Sequence, residues 1–345
     1  SPGGSMTKRR VLVLVREGLI PPESVEGLTE EQVDPFRMEL NVLNALESLG
    51  HESHTIGVYD DLTPIREALT AFKPHIVFML LEEFHGVVTY DQAVASYLEL
   101  MRQKYTGCNP RGLLLSHDKA LSKKILTYHR VPNPRFVVFP RKRAVRPSKR
   151  LEYPLLVKSA TEDASLGISQ ASVVNDKESL IERIAFMHDK IDTDVLVEEY
   201  IPGRELYVGV LGNDRLQTLP VWEVDFGSMS EDVRIATRKV KWDRKYQKKH
   251  GIDTGAAKTL SPELTKAVQT IAKRVYKSLE MSGYARIDLR LREDGRIYVL
   301  EANANPDITY GEDFAESAEM AGVGYEDLIQ RILNLGLRYQ APWQW

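Results

Sequence analysis

The first strong signal in the chain is a continuous apolar run, Val11-Leu12-Val13-Leu14-Val15, and a second follows at His75-Ile76-Val77-Phe78-Met79-Leu80-Leu81. Runs without polar alternation are expected of strands buried on both faces. Between them Phe36, Leu40, Leu43, Leu46 and Leu49 recur at helical spacing, and Gly50 ends that helix. Another helix closes over Tyr97 to Met101. Strands alternating with helices predict a parallel sheet with right-handed crossovers for residues 6–115.

Beyond that point Ser116 reads as the N-cap of a helix running through Tyr128, with Pro132 and Pro134 marking its end. The stretch Pro140 to Pro154 is almost free of apolar residues and carries Arg141, Lys142, Arg143, Arg146, Lys149 and Arg150. With no aromatic residue interleaved it reads as a solvated loop rather than a grip for a polyanion. Strands are expected at Leu155–Lys158 and Asp194–Tyr200, and helices at Lys177–Lys190, Pro262–Ser282 and Tyr325–Arg338.

The most informative pattern lies at residues 283–309. Ala285 to Leu291 alternates polar with apolar, Arg296 to Leu300 does the same, and Asp294-Gly295 between them is a two-residue hairpin signal. With Asp294 and Gly295 as the loop, Glu293 faces Arg296, Asp288 faces Glu301 and Arg286 faces Asn303. Side chains two apart share a face, so these last four form one polar square. Adjacent carboxylates repel, and a sheet ordinarily avoids the pairing. A divalent cation resolves it, and oxygen ligands from Asp288, Glu301 and Asn303 suit Mg²⁺ with nucleotide phosphates as further ligands. Arg286 then faces developing negative charge. The competing reading is a solvent-facing hairpin with an Arg286–Glu301 salt bridge.

Composition narrows the classes little. The chain has 345 residues, 43% hydrophobic and 28% charged, with a net charge of −3. It is long enough for two or three packed units, and its charge favours neither nucleic acid nor membrane. Its one cysteine, Cys108, fits a reducing, cytoplasmic setting and reads as a small filler. No apolar run reaches the ~18 residues of a membrane span. Ser1 to Ser5 look like an expression scar ahead of Met6.

No G-x-x-x-x-G-K-[ST] and no G-x-G-x-x-G after a strand occurs, so phosphate contacts must come from lysines on strands and a short loop. Lys158 ends a strand and is followed by Ala164-Ser165-Leu166-Gly167, a small-residue turn whose backbone N–H groups can approach a phosphate. Leu196 to Glu205 is a strand leaving into a Pro202-Gly203 turn. There Glu198, with Glu199 beside it, suits an adenine edge, and Glu205 a ribose diol. Charge at a strand end is the plain alternative.

Taken together, these segments resemble the ATP-grasp superfamily, most closely its D-alanine–D-alanine ligase branch. The resemblance covers roughly Tyr105 to Thr309 and rests on six motifs in the family's order. They are Asp118-Lys119; Pro154 to Lys158; the turn to Gly167; Val197 to Glu205; Gly283 to Asp288; and Val299 to Pro306. It implies a mixed α/β and α+β architecture, an ATP-grasp fold behind an N-terminal parallel-sheet (pre-ATP-grasp) domain. The units expected are 6–115, a central lobe 116–203 and a C-terminal lobe 204–345 with the metal site. It also implies ATP with two Mg²⁺, or Mn²⁺ in their place, held by Asp288, Glu301 and Asn303. Lys119 and Lys158 would contact phosphate or adenine, with Ser165 and Gly167 in the phosphate turn. Glu198, Glu199 and Ile201 would meet adenine, and Glu205 the ribose. Lys241 falls where the family has a lid lysine that reaches the γ-phosphate.

The implied reaction joins a carboxylate to an amine through an acyl phosphate, with Arg286 and Lys241 as its catalytic cations. Its substrates would be a small carboxylate and a small amine, an amino acid or peptide. No nucleic acid or membrane partner is expected, and a homodimer is the family's common state. Three positions depart from the family's amino-acid site: Arg16 to Pro22 lacks its loop pattern, Ala164-Ser165 replaces two serines, and Trp242 replaces a tyrosine. Downstream, Asp307, Glu312 and Asp313 stand where the family offers a serine to the second substrate, and they favour a cationic group there. An acidic helix N-terminus is the alternative. The expected activity is therefore a carboxylate–amine ligation other than D-Ala–D-Ala. The remaining alternatives are another ATP-grasp reaction (phosphotransfer, carboxylation or protein-tail ligation) and a non-enzymatic polyanion-binding module using the basic 141–150 and 238–249 runs.

Overall fold

A computed structural model describes residues 7–161, 171–227, 247–249, 251–341 and 344. The apolar run at the start forms β1 (Arg10–Arg16), and a short capped turn, α1 (Glu30–Val33), precedes α2 (Arg37–Ser48). Then come β2 (Glu52–Val58), α3 (Thr63–Phe72), β3 (Ile76–Met79) and α4 (Asp91–Leu100). β1 is the middle strand of a parallel sheet ordered β2-β1-β3. Both of its faces are covered: Leu12 and Leu14 pack with Ile65, Val94 and Leu98, while Val11, Val13 and Val15 pack with Val42 and Leu46. Two-sided burial explains why the run shows no polar alternation.

The helix expected from Ser116 to Tyr128 is instead a pair, α5 (Pro110–His117) and α6 (Lys119–Tyr128). Asp118 lies between them in an extended conformation, φ −91° and ψ 92°, and its carboxylate accepts from Leu121 N–H as the N-cap of α6. Asn109 caps α5 in the same way, through Gly112 N–H. Ser116 is in the last turn of α5, where its hydroxyl donates to the Leu113 carbonyl. A carboxylate at residue 118 is the better cap because it can satisfy the orphan N–H groups of the second helix.

A four-stranded sheet follows, ordered β4 (Phe136–Phe139), β7 (Val195–Glu199), β5 (Leu155–Ser159), β6 (Ser172–Val174), with α7 (Lys177–Phe186) against one face. The 140–154 stretch carries no strand or helix. The larger sheet contains β8 (Arg204–Leu211), β9 (Gln217–Thr218), β10 (Trp222–Asp225), β11 (Asp253–Ala256), β12 (Tyr284–Leu291) and β13 (Ile297–Ala304). Its main order is β11-β10-β8-β12-β13. Helix α8 (Pro262–Ser278) covers its apolar face through Val268, Ala272, Val275 and Tyr276. That helix stops four residues short of Ser282, because Glu280 turns at φ +58° and Gly283 at φ +78° to enter β12.

The last helices, α9 (Asp313–Met320) and α10 (Tyr325–Arg338), return to the N-terminal sheet. Leu328, Ile329, Ile332 and Leu333 share one core with Val11, Val13, Ile76 and Phe78. Gly336 sets how closely α10 approaches: a Cβ there would stand 2.5 Å from the Tyr105 carbonyl oxygen. Gly336→Ala should therefore lower the thermal midpoint, although alanine gains up to ~1 kcal/mol of helix propensity at an unconstrained site. A midpoint that rises in differential scanning calorimetry would show that the helix has room to move.

Candidate active site

The larger sheet is two-faced. Leu206, Val208, Ala285, Ile287 and Leu289 point into the core under α8. By the period of two the opposite face receives Glu205, Tyr207, Arg286, Asp288 and Arg290, and the register sets Tyr207 beside Asp288 and Glu205 beside Arg290. Asp288 pairs with Glu301 and Arg286 with Asn303 on β13. The polar square is thus present, by a route different from the one expected.

At the tip, Arg292 N–H donates to the Arg296 carbonyl and Gly295 sits at φ +85°. The loop is therefore Glu293-Asp294-Gly295, three residues and not two, and Glu293 does not face Arg296. Three-residue hairpin loops place glycine in this left-handed position. The pairing is consequently one residue out from Leu289–Val299 to Leu291–Ile297, and a bulge between Asp288 and Leu289, with Leu300 as the extra residue opposite, restores it at the carboxylates.

Neither carboxylate is left bare. Asp288 accepts from Arg286 Nε at 2.8 Å and Nη2 at 3.0 Å, and Glu301 accepts from Lys119 Nζ at 2.9 Å. An Arg286–Glu301 salt bridge is not the arrangement adopted. Arg286 also stacks over the Tyr207 ring at 4.3 Å. Burial works against its charge, but Asp288 and Glu301 hold its pKa above the ordinary value.

The smaller sheet carries a second charged group. Glu198, only 1% exposed, is held between Lys158 Nζ at 2.9 Å and Lys123 Nζ at 2.8 Å. Burial opposes ionisation of Glu198, yet the two ammonium groups hold its pKa at about 2. Burial lowers the pKa of Lys123, with Glu198 opposing the shift. Lys123 was not singled out in the sequence. Its signal was the four-residue spacing from Lys119, which puts both on one face of α6. That helix thereby reaches both sheets, Lys119 to the larger and Lys123 to the smaller. The side chain of Glu199 does not join this group. It points the other way, to Arg135 at 2.8 Å and the Glu152 N–H.

Glu205 accepts from Arg290 Nη2 at 2.8 Å, and both side chains are buried. Arg290 lies within 3.5 Å of the carbonyl of Ile201 and stacks near Tyr200 and Phe226. Arg290 too escaped the sequence reading, although alternation from Arg286 and Asp288 leads directly to it. Ser165, Gly167 and Lys241 lie outside the described residues. Cys108 is 1% exposed, with burial pushing its thiol up to about 12, so it is a filler as expected.

Past β13, Asp307 accepts from Thr309 N–H at 2.9 Å, Glu312 is the N-cap residue of α9, and Asp313 begins that helix. All three line a cavity of about 360 Å³ whose wall also includes Arg286, Tyr207 and Trp222. A buried acid, Glu39 of α2, feels this segment: burial, with Asp307 adding to it, raises its pKa to about 7 against a backbone hydrogen bond and Arg16.

The donor set fits a divalent cation on chemical grounds. Asn303 spends its amide Nδ2 on the Arg286 carbonyl at 3.2 Å, so its oxygen is the atom that could serve a cation beside the two facing carboxylates. Among the described residues no group of three or more His, Cys, Asp or Glu side chains forms a ready metal cluster. The set is therefore two carboxylates and an amide, a number that suits an ion taking its other ligands from phosphate and water.

The chain is similar to known proteins over most of its length. Residues 125–334 match the family model for the D-ala D-ala ligase C-terminus. A D-alanine–D-alanine ligase of Syntrophotalea carbinolica is 31% identical over 314 residues, covering 89% of this chain and 92% of its own. An uncharacterised protein of Sinorhizobium fredii is 29% identical over 307 residues, 88% of each chain. The crystal structure of the Bacillus anthracis D-alanine–D-alanine ligase complexed with ATP superposes with a TM-score of 0.73 at 23% identity, over 96% of this chain and 98% of that one. The fold is that of the ATP-grasp enzymes. The chain belongs to the D-alanine–D-alanine ligase family, a family of ATP-dependent carbon–nitrogen ligases.

Replacing Glu198 by Gln leaves the buried Lys123 and the partly buried Lys158 ammonium groups without their shared partner, and removing one partner of a buried charge set costs ~3–5 kcal/mol. Because the folded-state pKa is depressed, the stabilisation is present above the ordinary value of 4.5 and is lost as pH falls toward about 2. Thermal unfolding should separate wild type from Glu198→Gln at neutral pH, with the gap narrowing below pH 4.5. A gap that is constant across this range would contradict the ion-pair account.

Proposed function

We propose that this protein uses ATP to join the carboxylate of one small molecule to the amine of another. The observation that carries the reading is the facing pair Asp288 and Glu301, neutralised by Arg286 and Lys119 on the polar face of the larger sheet. A carboxylate oxygen of the first substrate attacks the γ-phosphorus, and the bond to ADP breaks in line. The amine nitrogen of the second substrate then attacks the acyl carbon, loses a proton, and inorganic phosphate leaves. Lys119, Lys158 and Lys241 supply positive charge along the triphosphate. Glu198 fixes Lys123 and Lys158 at the nucleotide end, and Glu205, steered by Arg290, is placed for a ribose diol. Arg286 is aimed at the oxyanion that forms when the amine adds. Bound by Asp288, Glu301 and Asn303, one or two Mg²⁺ (or Mn²⁺) would neutralise phosphate charge and fix its geometry. Excluding water from the acyl phosphate and holding the reactants in line supply much of the remainder.

The named ligase relatives bring D-alanine forward as a candidate for both substrates. We read the substrate pair as a different one. Support comes from the altered positions Arg16 to Pro22, Ala164-Ser165 and Trp242, and from the carboxylates at 307, 312 and 313 in the cavity beside Arg286.

Asp288→Asn combined with Glu301→Gln should abolish Mg²⁺-dependent ADP release, by at least a hundredfold, in a coupled assay with amino-acid substrates. Retained turnover in that double variant would refute the metal assignment.

A further inference from the structure

The cavity beside Arg286 is assembled from parts far apart in the chain. Asp253 comes from β11, Asp307 from the loop after β13, and Glu312, Asp313 and Glu316 from the start of α9. Against these five carboxylates the described lining has one guanidinium, Arg286, already held by Asp288. Asp313 accepts from the Thr254 hydroxyl at 2.5 Å, and Asp253 and Asp307 accept from backbone N–H groups of Thr254 and Thr309 at 2.9 Å. Among the described residues no lysine or arginine forms an ion pair with Asp253, Asp307, Asp313 or Glu316. Accumulated negative charge in a concave site calls for a cation. The carboxylates are not gathered round a point, since no three of them could hold a metal ion. Charge spread along a wall suits an extended organic cation.

A second, independent feature concerns the other end of the ligand. Trp222, 8% exposed, lines the same cavity, and its buried indole Nε1 has no hydrogen-bond partner among the described residues. An indole N–H is a donor only, and a buried one ordinarily finds an acceptor. The cavity volume of about 360 Å³ is at the small end for ligand sites, ~300–1,000 Å³. One molecule must therefore present an acceptor oxygen to Trp222 and a positive group to the acidic wall, with its reacting amine toward Arg286.

We propose that the amine-donating substrate is an amino acid with a cationic side chain, whose carboxylate meets Trp222 and whose ammonium or guanidinium lies against Asp253, Asp313 and Glu316. This rests on the ligase reading above and specifies its second substrate.

The test is ADP release by the full chain with Mg²⁺ and ATP over all pairs drawn from glycine and both enantiomers of alanine, glutamate, lysine, ornithine and arginine. Products are identified by mass spectrometry, and AMP-PNP binding is measured in parallel by calorimetry. Condensation should be at least tenfold faster when the amine partner is lysine, ornithine or arginine than when it is alanine. Asp313→Asn with Glu316→Gln should raise KM for the basic partner at least tenfold while AMP-PNP affinity stays at the wild-type value, which shows that the variant is folded. Equal or better use of alanine overturns the proposal and leaves the ligase reading standing. So does nucleotide binding with no product containing a basic amino acid. Absence of both nucleotide binding and ADP release instead overturns the ligase reading on which it rests.

Discussion

Two carboxylates, Asp288 and Glu301, face each other across neighbouring strands, and much of the site is arranged around that conflict. At ~5 Å and an effective dielectric constant of ~20 their repulsion amounts to ~3 kcal/mol, more than any β-propensity can offset. The chain answers with two cations from different directions. Arg286 grips Asp288 from its own strand, two residues away on the same face. Lys119 arrives from the first turn of α6 to reach Glu301. A protein selected for stability alone would place an apolar or oppositely charged pair there. Facing like charges on the last two strands of the larger sheet, with cations to balance them, support the proposed site for a phosphate-bound metal ion.

The same balance of charge holds on the smaller sheet. One turn beyond Lys119, Lys123 enters the smaller sheet and with Lys158 holds Glu198. Helix α6 thus ties two sheets together through charge on both sides, and its position depends on the cap at Asp118. Moving the cap to Ser116 would rotate Lys119 away from Glu301, since each residue turns a helix by 100°. The buried pairs Glu198–Lys123 and Glu205–Arg290 are costly to desolvate and weak evidence for stability. On the proposed function their value lies in fixing charged groups before substrate arrives, so that little reorganisation remains for the reaction.

Local patterns were legible in the sequence, and contacts between distant elements were not. The continuous apolar runs specified buried parallel strands, and the hairpin pattern specified its pairing at the carboxylates. That pairing came out right through two compensating features, a loop one residue longer than expected and the extra residue Leu300 opposite the bulge. Neither is encoded in alternation alone. Lys123 and Arg290 were within reach of the helical and strand periods that located Lys119 and Asp288. Alternation likewise separates Glu198 from Glu199, whose side chain joins Arg135. Trp222, Asp253 and Glu39 could not be read locally, because each meets the site through residues scores of positions away. The return of α10 to the first sheet is of the same kind, since an amphipathic helix does not announce its partner.

If the facing carboxylates serve a metal-bound nucleotide, calorimetric titration of AMP-PNP with and without Mg²⁺ will show it. Binding should be at least tenfold tighter with Mg²⁺, a gain lost in Glu301→Gln while the metal-free affinity is unchanged. Equal affinity with and without Mg²⁺ in the wild-type protein would contradict it.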